Sequence, residues 1–189
     1  GPDTVVVSWL PTFHDLGLVY GVFLPLWKGV RGVLIDPLHF LQRPARWVQA
    51  IHRFRGTHAP APNFAFALVA ERTSPAERDA LDLSCWKVAL NGAEPIRHES
   101  EAAFVEAFEG CGVSWRTLKH AYGMSESTAV ISKEPIDSEP VFLDVDAAAL
   151  ERHVVRPVPP GTPGLRRIAG CGVCVAPTFV RIVDPDTLR

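Results

Sequence analysis

Apolar positions in the first two thirds of the chain fall into two rhythms. Short β-branched runs such as Val5-Val6-Val7 alternate with longer stretches in which apolar residues return every three or four positions. The runs predict strands at residues 5–9, 32–35, 57–59, 87–91 and 117–120; the stretches predict helices at 16–27, 44–54, 64–72 and 97–108. The last helix is the clearest, since Ala103, Phe104, Ala107 and Phe108 share one face and Pro95 stands near its start. Strand and helix in alternation argue for βαβ units, hence an α/β fold with a mostly parallel sheet and flanking helices. After Ser132 the rhythm breaks: Pro135, Pro140, Pro157, Pro159, Pro160 and Pro163 interrupt any long element, and runs such as Val141-Phe142-Leu143 are brief. The expected organisation is an α/β part over 1–133 followed by a loop-rich β subdomain over 134–189.

Composition adds bounds. At 189 residues, 47% hydrophobic and 21% charged, the chain can bury a sizeable core. A net charge of −2 with scattered basic residues indicates no nucleic-acid stripe and no polybasic membrane patch. No apolar run approaches the roughly eighteen residues that span a bilayer, so a soluble, cytoplasmic protein with a small-molecule partner is expected. Four cysteines are too few and too uneven for a disulfide scaffold. The sole methionine is Met124 and the first strand begins almost at once, so the chain is expected to be an excerpt of something larger.

Two segments carry the chemistry. Asn91-Gly92-Ala93-Glu94-Pro95 follows the apolar run Val88-Ala89-Leu90, and Ala121-Tyr122-Gly123-Met124-Ser125-Glu126 follows Leu118-Lys119-His120. Each reads as a strand end opening into a tight turn, and open α/β sheets bind ligands at the carboxyl edge of their strands. Gly92 and Ala93 leave backbone open to a flat ligand. Tyr122 offers a ring on which a base can stack, an interaction worth roughly 1–3 kcal/mol, or is an ordinary core tyrosine. Ser125 can hold a phosphate oxygen. Glu126 can help hold Mg²⁺, which takes one or two carboxylates plus substrate phosphates, or is a solvated carboxylate favoured in a helix's first turn. A third segment, from Leu10 to Leu18, leaves the first strand and starts a helix. There Asp15 reads as the helix N-cap with His14 a turn residue, or His14 stands at the mouth of an acyl pocket, with Gly17 and Gly21 allowing close approach.

Other chemistries fit less well. Gly123-Met124-Ser125-Glu126-Ser127 lacks the final glycine of a hydrolase nucleophile elbow, and Asp144 or Asp146 with His153 would be crowded into one proline-broken segment. Cys171-Gly172-Val173-Cys174 is one C-x-x-C with no second pair to complete a zinc site, so ordinary thiols are expected.

Together the segments resemble the adenylate-forming superfamily, and within it the fatty acyl-AMP ligases. The resemblance runs through Ser8-Trp9-Leu10-Pro11, His14-Asp15-Leu16-Gly17-Leu18, the stretch from Pro37 to Trp47, Ala61-Pro62-Asn63-Phe64-Ala65, Leu81 to Trp86 and both turns. It implies that ATP and a fatty acid give acyl-adenylate and pyrophosphate. The acyl group then passes to the phosphopantetheine thiol of an acyl carrier protein, or of a polyketide or peptide synthetase carrier domain. By the same resemblance Asn91, Gly92, Ala93 and Glu94 with Ala121, Tyr122, Gly123 and Met124 form the ATP/AMP slot, Ser125 touches phosphate and Glu126 binds Mg²⁺. His14 lies beside the reacting carboxylate, with Asp15 and Gly17 in the acyl pocket. The stretch at about 142–171 looks like the insertion that distinguishes these ligases from acyl-CoA synthetases, which are the alternative reading, as is a non-catalytic nucleotide-binding excerpt. The resemblance places a phosphate loop before this chain and a ribose-binding aspartate and an adenylating lysine after it. The isolated chain is therefore expected not to form acyl-adenylate at a useful rate.

Overall fold

A computed structural model describes residues 3–187 and 189. Its centre is a parallel array. Strand β1 (Val5–Ser8) pairs with β2 (Arg31–Leu34), and β3 (Ala89–Asn91) pairs with β4 (Leu118–Tyr122). Residues 57–61 lie between the two pairs and hydrogen-bond to both: Val7 N donates to His58 O at 2.9 Å, and Ala59 N and Ala61 N donate to Val88 O and Leu90 O at 2.9 Å each. The strand expected at 57–59 is thus reduced to isolated parallel bridges at His58 and Ala61. Pro60 and Pro62 explain why, since proline has no N–H to extend a ladder. Beyond β4 the sheet turns antiparallel through β5 (Ser132–Lys133) and β8 (Val173–Cys174).

Helices cover this array. The expected helix at 16–27 begins one residue earlier, as α1 (Asp15–Leu18), passes through a π-helical stretch, Val19–Phe23, and ends as α2 (Leu24–Lys28) on Gly29 at φ +61. Two helices over this array are not predicted by the apolar pattern and have plain local causes. Asp36 Oδ1 accepts from Leu38 N at 2.8 Å and, with Pro37 in the first turn, starts α3 (Pro37–Gln42). A capping box between Ser74 and Glu77 starts α6 (Pro75–Asp79). Between them stand α4 (Ala45–Phe54) and α5 (Asn63–Arg72), and α7 (His98–Phe108) follows β3.

The core is aromatic. Trp47 on α4 packs edge-on against Trp9, Phe40, Phe66 and Trp86, and Phe104 on α7 continues the cluster through Phe66 and Trp86. Trp9 stacks flat on Phe40 with centroids 3.8 Å apart. Such pairs add about 0.5–1.5 kcal/mol each to area burial.

The region after Ser132, expected to be loop-rich, contains one regular unit. Strands β6 (Phe142–Asp146) and β7 (Leu165–Ala169) pair antiparallel around α8 (Ala147–Glu151) and a proline-glycine loop. Asp144 and Arg167 face each other across the pair in a bidentate ion pair at 2.6 and 2.7 Å. Phe142 anchors the unit by setting its ring edge against His98, Trp115 and His120.

Candidate active site

Two turns leave the carboxyl edge side by side because β3 and β4 are parallel neighbours, with Asn91 opposite His120. In the first turn Ala93 sits at φ +69, a region that costs a non-glycine residue about 1–2 kcal/mol. Strain of this kind collects where backbone shape serves a ligand. The start of α5 holds the turn from both sides: Phe64 N donates to Glu94 Oε1 at 2.5 Å and Arg97 N donates to Asn63 Oδ1 at 3.0 Å. In the second turn β4 runs on through Tyr122, which pairs with Ser132. A Cβ at Gly123 would lie 1.4 Å from Ala129 O, so only glycine admits the returning 129–131 segment; one at Gly92 would lie 2.7 Å from Ala121 O.

These turns form the rims of two adjoining cavities. The smaller, about 120 Å³, is lined by His14, Asp15, Gly92, Met124 and Ser125 among others. The larger, about 440 Å³, lies on the other side and is lined by Glu94, Ile96, Arg166, Ile168 and Cys171 among others. Ala93, Ala121, Tyr122 and Gly123 line both. Tyr122 is 49% exposed and lines both cavities, so it is not a core tyrosine. The larger volume suits a planar organic group; the smaller sets the polar side chains of His14, Asp15 and Ser125 among apolar ones.

Residues far apart in the chain meet at the smaller cavity. Ser125 Oγ donates to Asp15 Oδ2 at 2.9 Å across 110 positions. His14, not Asp15, is the N-cap of α1, its Nδ1 accepting from Leu16 N at 3.2 Å. Nδ1 also lies 2.8 Å from Asp15 Oδ1, and with one lone pair it accepts from Leu16 only when unprotonated. The Ser125–Asp15 bond also speaks against a hydrolase triad, because Asp144 is held by Arg167 and Asp146 caps α8 by accepting from Ala149 N.

Three expected site residues are placed differently. Asn91 is fully buried and lines neither cavity; its Nδ2 donates to Glu101 Oε1 at 2.8 Å, because the residue before the turn points its side chain toward α7. Gly17 lines neither cavity and packs against backbone, where a Cβ would lie 2.2 Å from Pro11 O. Glu126 is exposed in the short 3-10 turn Ser125–Ser127, one residue beyond the cavity lining. Its lone carboxylate fits a magnesium ion that draws its remaining ligands from water and phosphate, and no cluster of three metal-ligating side chains exists among the described residues.

The sequence did not point to the outer wall of the larger cavity. Arg166 and Ile168 share one face of β7 with Cys171 just beyond it, so an apolar and a charged residue alternate with neither face uniformly apolar. Burial raises the Cys171 thiol above its ordinary value, with Glu134 adding to the effect. The hydrogen bond from Arg167 holds Asp144 below the usual carboxylate range. The four cysteines are free thiols. No helix among the described residues is long and apolar enough to cross a membrane.

Comparison with known proteins fits this geometry. The chain is 39% identical over 189 residues to the medium-chain-fatty-acid–[acyl-carrier-protein] ligase JamA of Moorena producens, a match covering 99% of this chain and 32% of that protein. The crystal structure of a fatty acid AMP ligase from Legionella pneumophila superposes with a TM-score of 0.94 at 31% identity, covering 99% of this chain and 32% of that one. A fatty acyl-adenylate ligase from L. pneumophila, in complex with acyl adenylate and pyrophosphate, gives 0.93 at 31% identity with the same coverage. The chain therefore has the adenylate-forming fold and spans about a third of the length of these relatives. The AMP-binding enzyme family matches residues 1–189, both turns included, and the chain belongs to it.

Proposed function

We propose that this chain is the central part of the large domain of a fatty acyl-AMP ligase. The complete enzyme activates a fatty acid with ATP to the acyl-adenylate and passes the acyl group to a carrier-protein phosphopantetheine thiol. The observation that supports this best is the pair of cavities meeting at Tyr122, one sized for a base and the other bringing His14, Asp15 and Ser125 together. In this reading Gly92, Ala93, Glu94 and the Tyr122 ring receive adenine. Ser125 meets a phosphate oxygen, and Glu126 holds Mg²⁺ together with the nucleotide's phosphates. His14 stands by the fatty-acid carboxylate. The chain divides near residue 133, and about 142–171 is the insertion that disfavours free CoA.

The names of the relatives, a fatty-acid–[acyl-carrier-protein] ligase and two fatty acyl-adenylate ligases, support the same substrate and acceptor. A role in polyketide or related lipid biosynthesis, a cytoplasmic location and no nucleic-acid partner complete the reading. The test is fatty-acid-dependent exchange of pyrophosphate into ATP by the complete ligase, followed by acyl transfer to holo carrier protein or to CoA. Exchange with transfer to the carrier is expected. Absence of fatty-acid-dependent exchange overturns the reading, and efficient acyl-CoA formation replaces it with an acyl-CoA synthetase.

A further inference from the structure

Directly beneath the two turns lies a buried polar cluster that the adenylation reading does not use. Glu101 on α7 and His120 on β4 are both fully buried, and Glu134 is 3% exposed. Each oxygen of Glu101 holds one of the paired residues at the strand ends: Oε1 accepts from Asn91 Nδ2 at 2.8 Å, and Oε2 lies 2.9 Å from His120 Nε2. The other imidazole nitrogen, Nδ1, lies 2.8 Å from the Gly170 carbonyl oxygen. A carbonyl only accepts, so Nδ1 carries a hydrogen, and one further proton is shared between Nε2 and Glu101. Glu134 closes the cluster, accepting from His120 N at 2.9 Å and Val141 N at 3.0 Å.

These bonds join three parts that form the nucleotide slot. Asn91 immediately precedes Gly92, and His120 precedes Ala121 and Tyr122. Gly170 lies between Ala169 and Cys171, both of which line the larger cavity. A carboxylate buried on an apolar helix face costs several kcal/mol unless it is paired and hydrogen-bonded, and here the cluster's partners Asn91, His120 and Gly170 each adjoin in sequence a residue that lines the slot.

We propose that Glu101 and His120 are positioning residues of the nucleotide slot, a buried carboxylate–imidazole pair that ties both turns to α7 and, through the Gly170 carbonyl, to the β6–β7 hairpin forming the far wall. The substrate they act on rests on the adenylation reading; the tie itself does not. Burial alone would lower the His120 pKa, but the hydrogen bond and charge of Glu101, the charge of Glu134 and the Gly170 carbonyl raise it overall.

The test uses Glu101→Ala and Glu101→Gln in the complete ligase, with AMP as the probe and amide hydrogen exchange as the second readout. Glutamine can accept from Asn91 and donate to a neutral His120, so Glu101→Gln keeps the tie. Glu101→Ala is expected to weaken AMP binding about tenfold, with Glu101→Gln restoring it to within about threefold. In Glu101→Ala, exchange should quicken in 141–170 while α4 and α5 keep their wild-type protection. Uniformly faster exchange, or wild-type exchange in the hairpin, overturns the proposal. So does wild-type AMP affinity in Glu101→Ala beside an AMP-binding parent. If the parent itself does not bind AMP, the adenylation reading fails and the exchange pattern still decides the tie. Should Glu101→Ala not fold, His120→Phe removes both bonds of the ring while filling its space, and is read the same way.

Discussion

The region up to Ile131 and the region after it are held by different forces. Among the described residues, only Val145 and Ala149 of the buried apolar side chains lie beyond Ile131; all the others, including the Trp47 cluster, reach no further than it. Exposed apolar side chains do not separate the two, since Phe13 is 94% exposed in the earlier region and Ile182 94% in the later. The later region is held by directional contacts: the Asp144–Arg167 ion pair within the hairpin and, to the earlier region, the Glu134 and Gly170 bonds to His120 and the edge of Phe142. Area burial is tolerant of small shifts, whereas hydrogen bonds weaken steeply with geometry. The earlier region therefore supplies a stiff floor to the larger cavity, and the later one supplies a wall whose position depends on a few polar pairs.

This contrast can be broken by experiment. The largest effect belongs to Trp47→Ala, which should lower global stability by about 3–5 kcal/mol in denaturant unfolding. A loss below about 1 kcal/mol, within the range of ordinary surface substitutions, would mean the aromatic cluster is not the main support. Asp144→Ala should leave the unfolding midpoint nearly in place while limited proteolysis within 141–170 becomes severalfold faster; equal loss in both measurements would erase the distinction.

The smallest effect is one of pH. His120 faces Glu101 from α7, Glu134 after β5 and the Gly170 carbonyl, with Lys119 beside it on β4. Its folded pKa is raised above the ordinary value of 6.5. Its contribution to stability is therefore fully present below about pH 6.5 and is lost as pH rises through the folded value. Unfolding midpoints followed upward from pH 6 should show this loss in wild-type protein and not in His120→Phe. An identical pH profile in the two proteins would remove His120 from the attachment.

The same contrast explains what was legible in the sequence. Strands β1 to β4 and helices α4, α5 and α7 follow apolar periodicity because burial produces that periodicity. The central segment 57–61 was legible as extended but not as a bridge-only connection, since Pro60 and Pro62 cut the ladder without changing the apolar pattern. The β6–β7 hairpin escaped because Arg166 and Ile168 share a face and eighteen residues separate its strands. At the site, both turns, Tyr122 and the His14–Asp15 pair were readable from residue type. The reversal of capping from Asp15 to His14 was not, because both side chains offer an acceptor to the same Leu16 N–H. Glu101 had a signal that went unused: it lies three and seven positions before Phe104 and Phe108, on the face of α7 that had to be buried.

Four residues, Ala93, Ala121, Tyr122 and Gly123, belong to both cavities at once. A molecule filling both must pass over that ridge, so all four residues meet it wherever its ends lie. A substitution at the ridge also alters both compartments together. Preference for one half of a ligand cannot be evolved or engineered there independently of the other half; independent tuning has to come from the outer walls, at Arg166, Ile168 and Met124.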